Sequence, residues 1–336
     1  MTGTTRRSFR RSTAGRRLAA AAVSVAATGA VLAAPAQAAP LFPGGPDIPE
    51  IQLPQLPSLP EVPGVPTPLL HLPDGVELPP QVRAMLPTGS VAPATPPIGP
   101  ANFSAPSIDP APGEVVGVAQ PIIIRFDEAI GDRAVAERAI RVTAGDGPAV
   151  EGSFYWINDR QVRWKPHQFW PANIPVTVDA GDTRSTFSIG DALVTVADDV
   201  TKQITVTRNG DIVKTMPTSF GKPGYETPNG TYIVGEKFRD MYMDSSTYGV
   251  PIDSPEGYRT YVEYATRISY SGIFVHAAPW SVNDQGHRNV SHGCLNVSTE
   301  DGRWFYENAK KGDPVIVQNT AGGILNGADG LGDWNR

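Results

Sequence analysis

Proline decides what the first third of this chain can become. Residues 40–112 hold 21 of its 34 prolines, in runs such as IPEIQLPQLPSLPEVPGVPTP (48–68). Each proline removes a backbone donor and fixes φ, so neither a helix nor a sheet ladder can be sustained through such a run. The composition predicts an extended, hydrated spacer over residues 39–105, advancing by ~3.1 Å per residue. A packed core therefore has to come from the residues that follow.

Ahead of the spacer, six arginines precede an apolar run from Leu18 to Ala34, followed by Ala36-Gln37-Ala38. Charged region, short apolar region and small-x-small site in that order read as a signal peptide over residues 1–38. The apolar run falls short of the ~20 residues that a spanning helix needs. Thr5-Arg6-Arg7-Ser8-Phe9 also fits a twin-arginine signal. The expected location is outside the cytosol, in periplasm or cell wall, with a membrane tether if the signal is not cleaved. Without its six leading arginines the chain has 22 basic residues against 34 acidic ones, a net charge of −12. Such a chain is a poor partner for nucleic acid or an anionic membrane surface.

From about residue 106 the texture changes. PIIIRF (121–126), IRV (140–142), SFYWI (153–157), QVRW (161–164) and VTVDAG (176–181) are short runs rich in β-branched and aromatic residues. GDG (145–147) and NDR (158–160) are turn signals between them. This spacing predicts an immunoglobulin-like β-sandwich over 106–190, with Trp156, Trp164 and Trp170 filling its core and His167 structural. A second β-rich block follows over 191–320. There Asn209-Gly210 sits between two strand-like runs, a strong hairpin signal. STEDGRWFYENAKK (298–311) reads as a helix capped by Ser298 with Asp301 three residues on, with Trp304, Phe305 and Ala309 forming an apolar stripe. Residues 321–336 form a glycine-rich, irregular tail. The fold class expected is mainly β, with one or two short helices.

The chemistry gathers around SHGCLNV (291–297), which holds the chain's single cysteine. Outside the cytosol cysteines usually pair, and one thiol cannot pair within its own chain. A buried inert thiol, an intermolecular disulfide and a reactive nucleophile are the readings available. A free thiol titrates near 8.5, so a nucleophile needs a neighbour to take its proton. Three of the five histidines, His276, His287 and His292, lie within eighteen residues of Cys294. His276 ends an apolar strand, GIFV, where a sheet can hold it rigidly. His292 is read as a supporting or orienting residue, and His287, in NDQGHRN, as a solvated side chain. Gly293 lets the backbone aim amides at a developing oxyanion. Asn296 is expected to bond backbone groups and so orient the loop. These four His and Cys residues could instead hold zinc, although their spacing, H-x10-H-x4-H-x-C, matches no common zinc motif.

His276, a seventeen-residue gap and Cys294 within SHGCLN resemble the signature of the L,D-transpeptidases, the YkuD-type catalytic domain of bacterial cell-wall enzymes. TPNGTY (227–232) is similar to another landmark of that family, and the likeness covers roughly residues 192–318. The preceding block and the tail ADGLGDWN resemble the actinobacterial members. The resemblance implies an enzyme without a cofactor that uses Cys294 as nucleophile and His276 as base. The Ala277 carbonyl would orient the imidazole, at a position where many relatives carry serine. The Gly293 and Cys294 amides would form the oxyanion site with help from Tyr258, and His292 and Asn296 would hold the motif together. A segment from about 238 to 258, including Met243, would act as a lid. The implied reaction joins peptidoglycan stem peptides in 3→3 cross-links with release of D-Ala, and implies acylation by carbapenems. An L,D-carboxypeptidase or a non-catalytic wall-binding module are the alternatives.

Overall fold

The computed structural model describes residues 99–336. The expected signal peptide and nearly all of the proline-rich spacer lie outside the described residues.

Two four-stranded sheets form the first layer pair. Strands β1 (Ser107–Asp109), β3 (Ile122–Arg125), β6 (Gln161–Pro166) and β5 (Gly152–Asn158) make one sheet, in that order. Strands β2 (Val115–Val116), β8 (Thr183–Ile189), β7 (Pro175–Ala180) and β4 (Ile140–Ala144) make the other. Side chains alternate along a strand, so one face of each sheet turns inward. Ile122, Ile124 and Val162 come from the first sheet and Val176, Val178 and Phe187 from the second, each essentially excluded from solvent. Fully burying one such side chain stabilises by roughly 1.5–3 kcal/mol. Trp164 and Trp170 are in this core and the Trp170 Nε1–H donates to the Gln120 carbonyl at 2.8 Å; Trp156 is half-buried and stacks on Phe126. His167 is exposed; its ring Nε2 meets Ser153 Oγ at 3.2 Å and its amide donates to the Glu151 carbonyl at 3.3 Å. One element goes beyond the sequence reading: a six-residue helix, α1 (Arg133–Arg138), started by the Asp132 carboxylate accepting from the Val135 amide. Six residues are too few to show a helical period.

The second block also pairs two sheets. Strands β11 (Asp211–Pro217), β10 (Gln203–Arg208), β9 (Leu193–Asp198), β17 (Pro314–Gln318) and β12 (Gly230–Ile233) form the larger one. Asn209 and Gly210 are the whole loop between β10 and β11, with φ of 52° and 99°, the two positive angles such a hairpin turn demands. The smaller sheet runs β13 (Lys237–Asp244), β14 (Arg259–Arg267), β15 (Phe274–Ala277) and β16 (Leu295–Val297). Its last pair, β15 with β16, is parallel. Helix α2 (Thr299–Asn308) begins as expected, with the Asp301 amide donating to Ser298 Oγ at 3.1 Å. It buries Phe305 and stops at Asn308, three residues before the end of the run read as helical, with Ala309 still in the core.

The C-terminal segment is irregular in backbone, as expected, but it is an ordered bolt between the blocks. Trp334 is 2% exposed, lies edge-on to Phe169 of the sandwich at 4.6 Å, and donates Nε1–H to the Ala119 carbonyl at 2.8 Å. Asp333 accepts from Arg163 of β6 through both carboxylate oxygens, at 2.8 and 2.9 Å. Lys311 adds a second tie, to Asp109 at 2.6 Å and Glu114 at 3.1 Å.

Candidate active site

In the parallel pair β15–β16, Val275 faces Leu295, His276 faces Asn296 and Ala277 faces Val297. The two-residue alternation then sorts the side chains. Val275, Leu295 and Val297 fill the core, while His276, Asn296 and Cys294 share the opposite face. These three form the floor of a cleft of about 190 Å³. Met243 and Tyr258, from β13 and the loop before β14, cover one side; Trp280, from the 3-10 turn Pro279–Ser281, stands on another.

His276 is anchored by its own chain. Its Nδ1 lies 2.8 Å from the Ala277 carbonyl, and the buried geometry makes Nδ1–H the donor, so Nε2 carries the lone pair. Burial lowers the imidazole's pKa from 6.5 to about 4, opposed by the Ala277 carbonyl and by Asn296. Burial raises the Cys294 thiol from 9.0 to about 11, opposed by the Phe274 amide and by Arg267. The resting pair is therefore neutral thiol and neutral imidazole at ordinary pH. The thiol donates to the Gly272 carbonyl, at 3.7 Å, rather than to the imidazole.

The loop carrying the thiol is built around Gly293, whose φ of +116° lies in the region that favours glycine. Ser291 Oγ accepts from the Gly293 amide at 3.1 Å and donates to the Cys294 carbonyl at 2.7 Å. The Gly293 amide expected at the oxyanion position is thus engaged with Ser291, a partner the sequence did not reveal. Thr227 supports the same loop: its hydroxyl donates to the Gly293 carbonyl at 2.8 Å and accepts from the Gly221 amide at 3.0 Å. In the same TPNG stretch Asn229 donates to the Thr320 and Gly322 carbonyls at 3.1 and 2.7 Å.

Other expectations are modified. The Asn296 side chain bonds the Ser281 hydroxyl at 3.2 Å rather than backbone; it is the Asn296 main chain that pairs with Ser219. His292 does not brace the motif from within. It reaches outward, its ring packed between Tyr225 and Tyr258, and Nε2 meets Glu256 at 3.1 Å. Lys222 Nζ meets the same Glu256 oxygen at 2.6 Å. Neither Lys222 nor Glu256 carries a motif signal, and only the fold brings them together. His287 is exposed, as expected. Among the described residues no three His, Cys, Asp or Glu side chains are grouped closely enough to hold a metal ion, so the zinc alternative lacks its ligand set.

A thiol and an imidazole lining one cleft, the imidazole held at its Nδ1 by the carbonyl of the next residue in its own strand, are the equipment of a cysteine-dependent acyltransferase. The comparisons with known proteins narrow that class. The L,D-transpeptidase catalytic domain (YkuD) matches residues 193–317, and a bacterial Ig domain matches residues 96–183. L,D-transpeptidase 2 of Mycobacterium tuberculosis is 54% identical over 70% of this chain, which spans 61% of that relative's length. L,D-transpeptidase 1 of the same organism is 42% identical over 70% of this chain and 94% of its own. A solved structure of L,D-transpeptidase LdtMt1 in complex with imipenem superposes with a TM-score of 0.60 at 42% identity, covering 66% of this chain and all of that one. The chain belongs to the L,D-transpeptidase family.

Proposed function

We propose that this protein is an exported peptidoglycan L,D-transpeptidase that forms 3→3 cross-links through a thioester on Cys294. The observation that carries the reading is the β15–β16 register, which sets His276 and Cys294 on one face at the floor of the cleft. The relatives' names and the imipenem complex of LdtMt1 support it.

In this reading, the thiol leaves the Gly272 carbonyl by rotation about its Cα–Cβ bond and approaches Nε2 of His276. As sulfur bonds to the carbonyl carbon of the third stem residue, the thiol proton passes to Nε2 and negative charge moves to the carbonyl oxygen. Backbone amides at Cys294 and, once released by Ser291, Gly293 receive that charge, with Tyr258 at the cleft wall. The C–N bond to D-Ala then breaks and Nε2–H protonates the departing amine. A side-chain amine of a second stem attacks the thioester, His276 takes its proton, and the thiol re-forms as the cross-link leaves. The Ala277 carbonyl holds the imidazole through both transfers. The strand-and-loop segment 238–258, with Met243 against Cys294, acts as the lid.

The spacer and signal-like terminus suit a protein that works in the cell wall, and carbapenems are the expected covalent inhibitors. Incubation with a tetrapeptide stem should release D-Ala and give a cross-linked dimer. Free tripeptide with no dimer would make the protein an L,D-carboxypeptidase, and binding without either product would make it a wall-binding module. Cys294→Ala should lose the carbapenem adduct by intact mass while remaining folded. An adduct that persists removes the assignment of the nucleophile.

A further inference from the structure

We propose that Ser281 and Gln285 are positioning residues for the base. Together they hold the Asn296 side chain with its amide oxygen, not its NH2 group, on the side of His276, where that oxygen supports the charge the imidazole takes on with the thiol proton. The inference deepens the transpeptidase reading and rests on it.

Asn296 stands opposite His276 in the parallel pair, and its main chain is fixed. Its amide donates to the Ser219 carbonyl at 3.0 Å. Its carbonyl accepts from the Ser219 amide at 3.1 Å and from the Thr218 hydroxyl at 3.0 Å. What remains open is which end of the side-chain amide meets the imidazole. Ser281 and Gln285 decide that from the turn that follows β15. The Ala278 amide donates to the Val297 carbonyl at 2.9 Å and ties this turn to β16. The Gln285 amide then folds back on the Ser281 carbonyl at 3.1 Å. Ser281, Gln285 and Asn296 are all buried, and neither Ser281 nor Gln285 lines the cleft.

The donors and acceptors of this cluster fit in one arrangement. Gln285 Nε2 donates to the Ala278 carbonyl at 3.1 Å and to Ser281 Oγ at 3.3 Å. The Ser281 hydroxyl donates to the same carbonyl at 3.2 Å. A hydroxyl has one hydrogen, so Ser281 can then only accept. The Asn296 group that lies 3.2 Å from Ser281 Oγ is therefore the NH2, Nδ2. Oδ1 falls at the other end of the amide. It is buried and has no hydrogen-bond partner among the described residues.

A buried acceptor without a donor is costly and calls for a reason. The catalytic cycle supplies one. In the resting protein the imidazole is neutral and has little to offer the oxygen. When sulfur bonds to the acyl carbon, one proton passes from the thiol to Nε2 and the ring becomes a cation. The negative end of the Asn296 amide dipole is then already beside it, with no reorganisation left to make. Asn296 favours the charged ring, against the burial that disfavours it. The flipped amide would present its positive end to the same cation. Ser281 and Gln285 touch no reacting atom and act through Asn296.

The test is a double-mutant cycle of Ser281→Ala and Asn296→Ala. The rate of Cys294 acylation by a carbapenem is followed by intact mass, and thermal unfolding is measured on every variant. Ser281→Ala should slow acylation about tenfold, the scale of a hydrogen bond to a charged group. Ser281→Thr keeps the hydroxyl and should retain most of the rate. In the Asn296→Ala background Ser281→Ala should have little further effect, because the amide it acts through is gone. Gln285→Leu should follow the same pattern, and it decides the matter if Ser281→Ala does not fold. Losses that multiply in the double mutant, or a folded Ser281→Ala that acylates at the wild-type rate, overturn the positioning role. A wild-type protein that forms the adduct while the losses multiply loses only that role. One that forms no adduct and releases no D-Ala from a tetrapeptide stem loses the transpeptidase reading itself.

Discussion

Arg163 of the sandwich and Asp333 of the C-terminal segment, 170 residues apart in sequence, meet through one guanidinium nitrogen, Nη1, which lies 2.8 and 2.9 Å from the two carboxylate oxygens, with side chains only 9% and 1% exposed. Trp334, next in the chain, is buried against Phe169. The tail thereby makes the two blocks into one packed body, and the catalytic block's stability is coupled to the sandwich's.

Asp333→Ala should accordingly be costly. Removing one partner leaves a guanidinium buried without a counter-charge, which costs about 3–5 kcal/mol. Thermal unfolding should shift down for the whole protein. Arg163→Met combined with Asp333→Leu should recover much of that loss, because an apolar pair of similar volume avoids the desolvation cost. A single mutant with unchanged Tm would mean that the tail does not bolt the blocks together.

His276 gives a pH prediction with a definite direction. Its pKa is about 4 in the folded chain against 6.5 as the ordinary value, so the unfolded state binds a proton first as pH falls. Stability from this group is present above 6.5 and is lost between 6.5 and about 4, by about 3 kcal/mol in all. His276→Gln should remove that portion of acid sensitivity in urea unfolding measured at a series of pH values. The same depression keeps the base unprotonated, so carbapenem acylation should hold its rate down to about pH 5, below the pH at which an ordinary imidazole would fail. His276→Ala should lower acylation by about 10²–10⁴. Alkylation of Cys294 in the free protein should keep rising past pH 9, since burial holds the thiol protonated to about 11.

Thr227 links the TPNG stretch to the nucleophile loop, and Thr227→Val tests that link. The substitution conserves shape but strips the Gly293 carbonyl of a donor and the Gly221 amide of an acceptor, both buried. The expected destabilisation is about 1–3 kcal/mol. Acylation should fall further than stability does, because Gly293 precedes the nucleophile. Equal kinetics in mutant and wild type would make the contact purely structural.

What could be read from sequence was local. The Asn209-Gly210 turn and the Ser298 cap are decided by residues within a few positions, and both appear as expected. SHGC and His276 were legible because so few thiols and imidazoles exist in the chain. What escaped was contact between distant segments. Ser291 on the Gly293 amide, Ser281 on Asn296 and Lys222 with Glu256 are ordinary polar residues whose positions relative to the thiol are set by the fold. The tail escaped for a related reason: it lacks any helical or strand period, yet Trp334 and Asp333 find their partners across the domain boundary.

Gly302 carries the last prediction, because it shows how helix α2 sets the base. The helix packs so closely on β15 that a Cβ at 302 would lie 2.8 Å from the Ala277 amide nitrogen and 3.1 Å from its Cα. Both of those atoms are backbone of the residue whose carbonyl anchors His276. In an ordinary helix interior Gly→Ala gains roughly 1 kcal/mol in propensity. Here the methyl must push strand or helix aside, and overpacking of this kind costs about 1–3 kcal/mol. Gly302→Ala should therefore lower Tm rather than raise it. It should also slow acylation of Cys294 beyond what the loss of stability explains, because the displaced group is the Ala277 carbonyl. A stabilised variant with unimpaired acylation would show that α2 does not press on the anchor of the base.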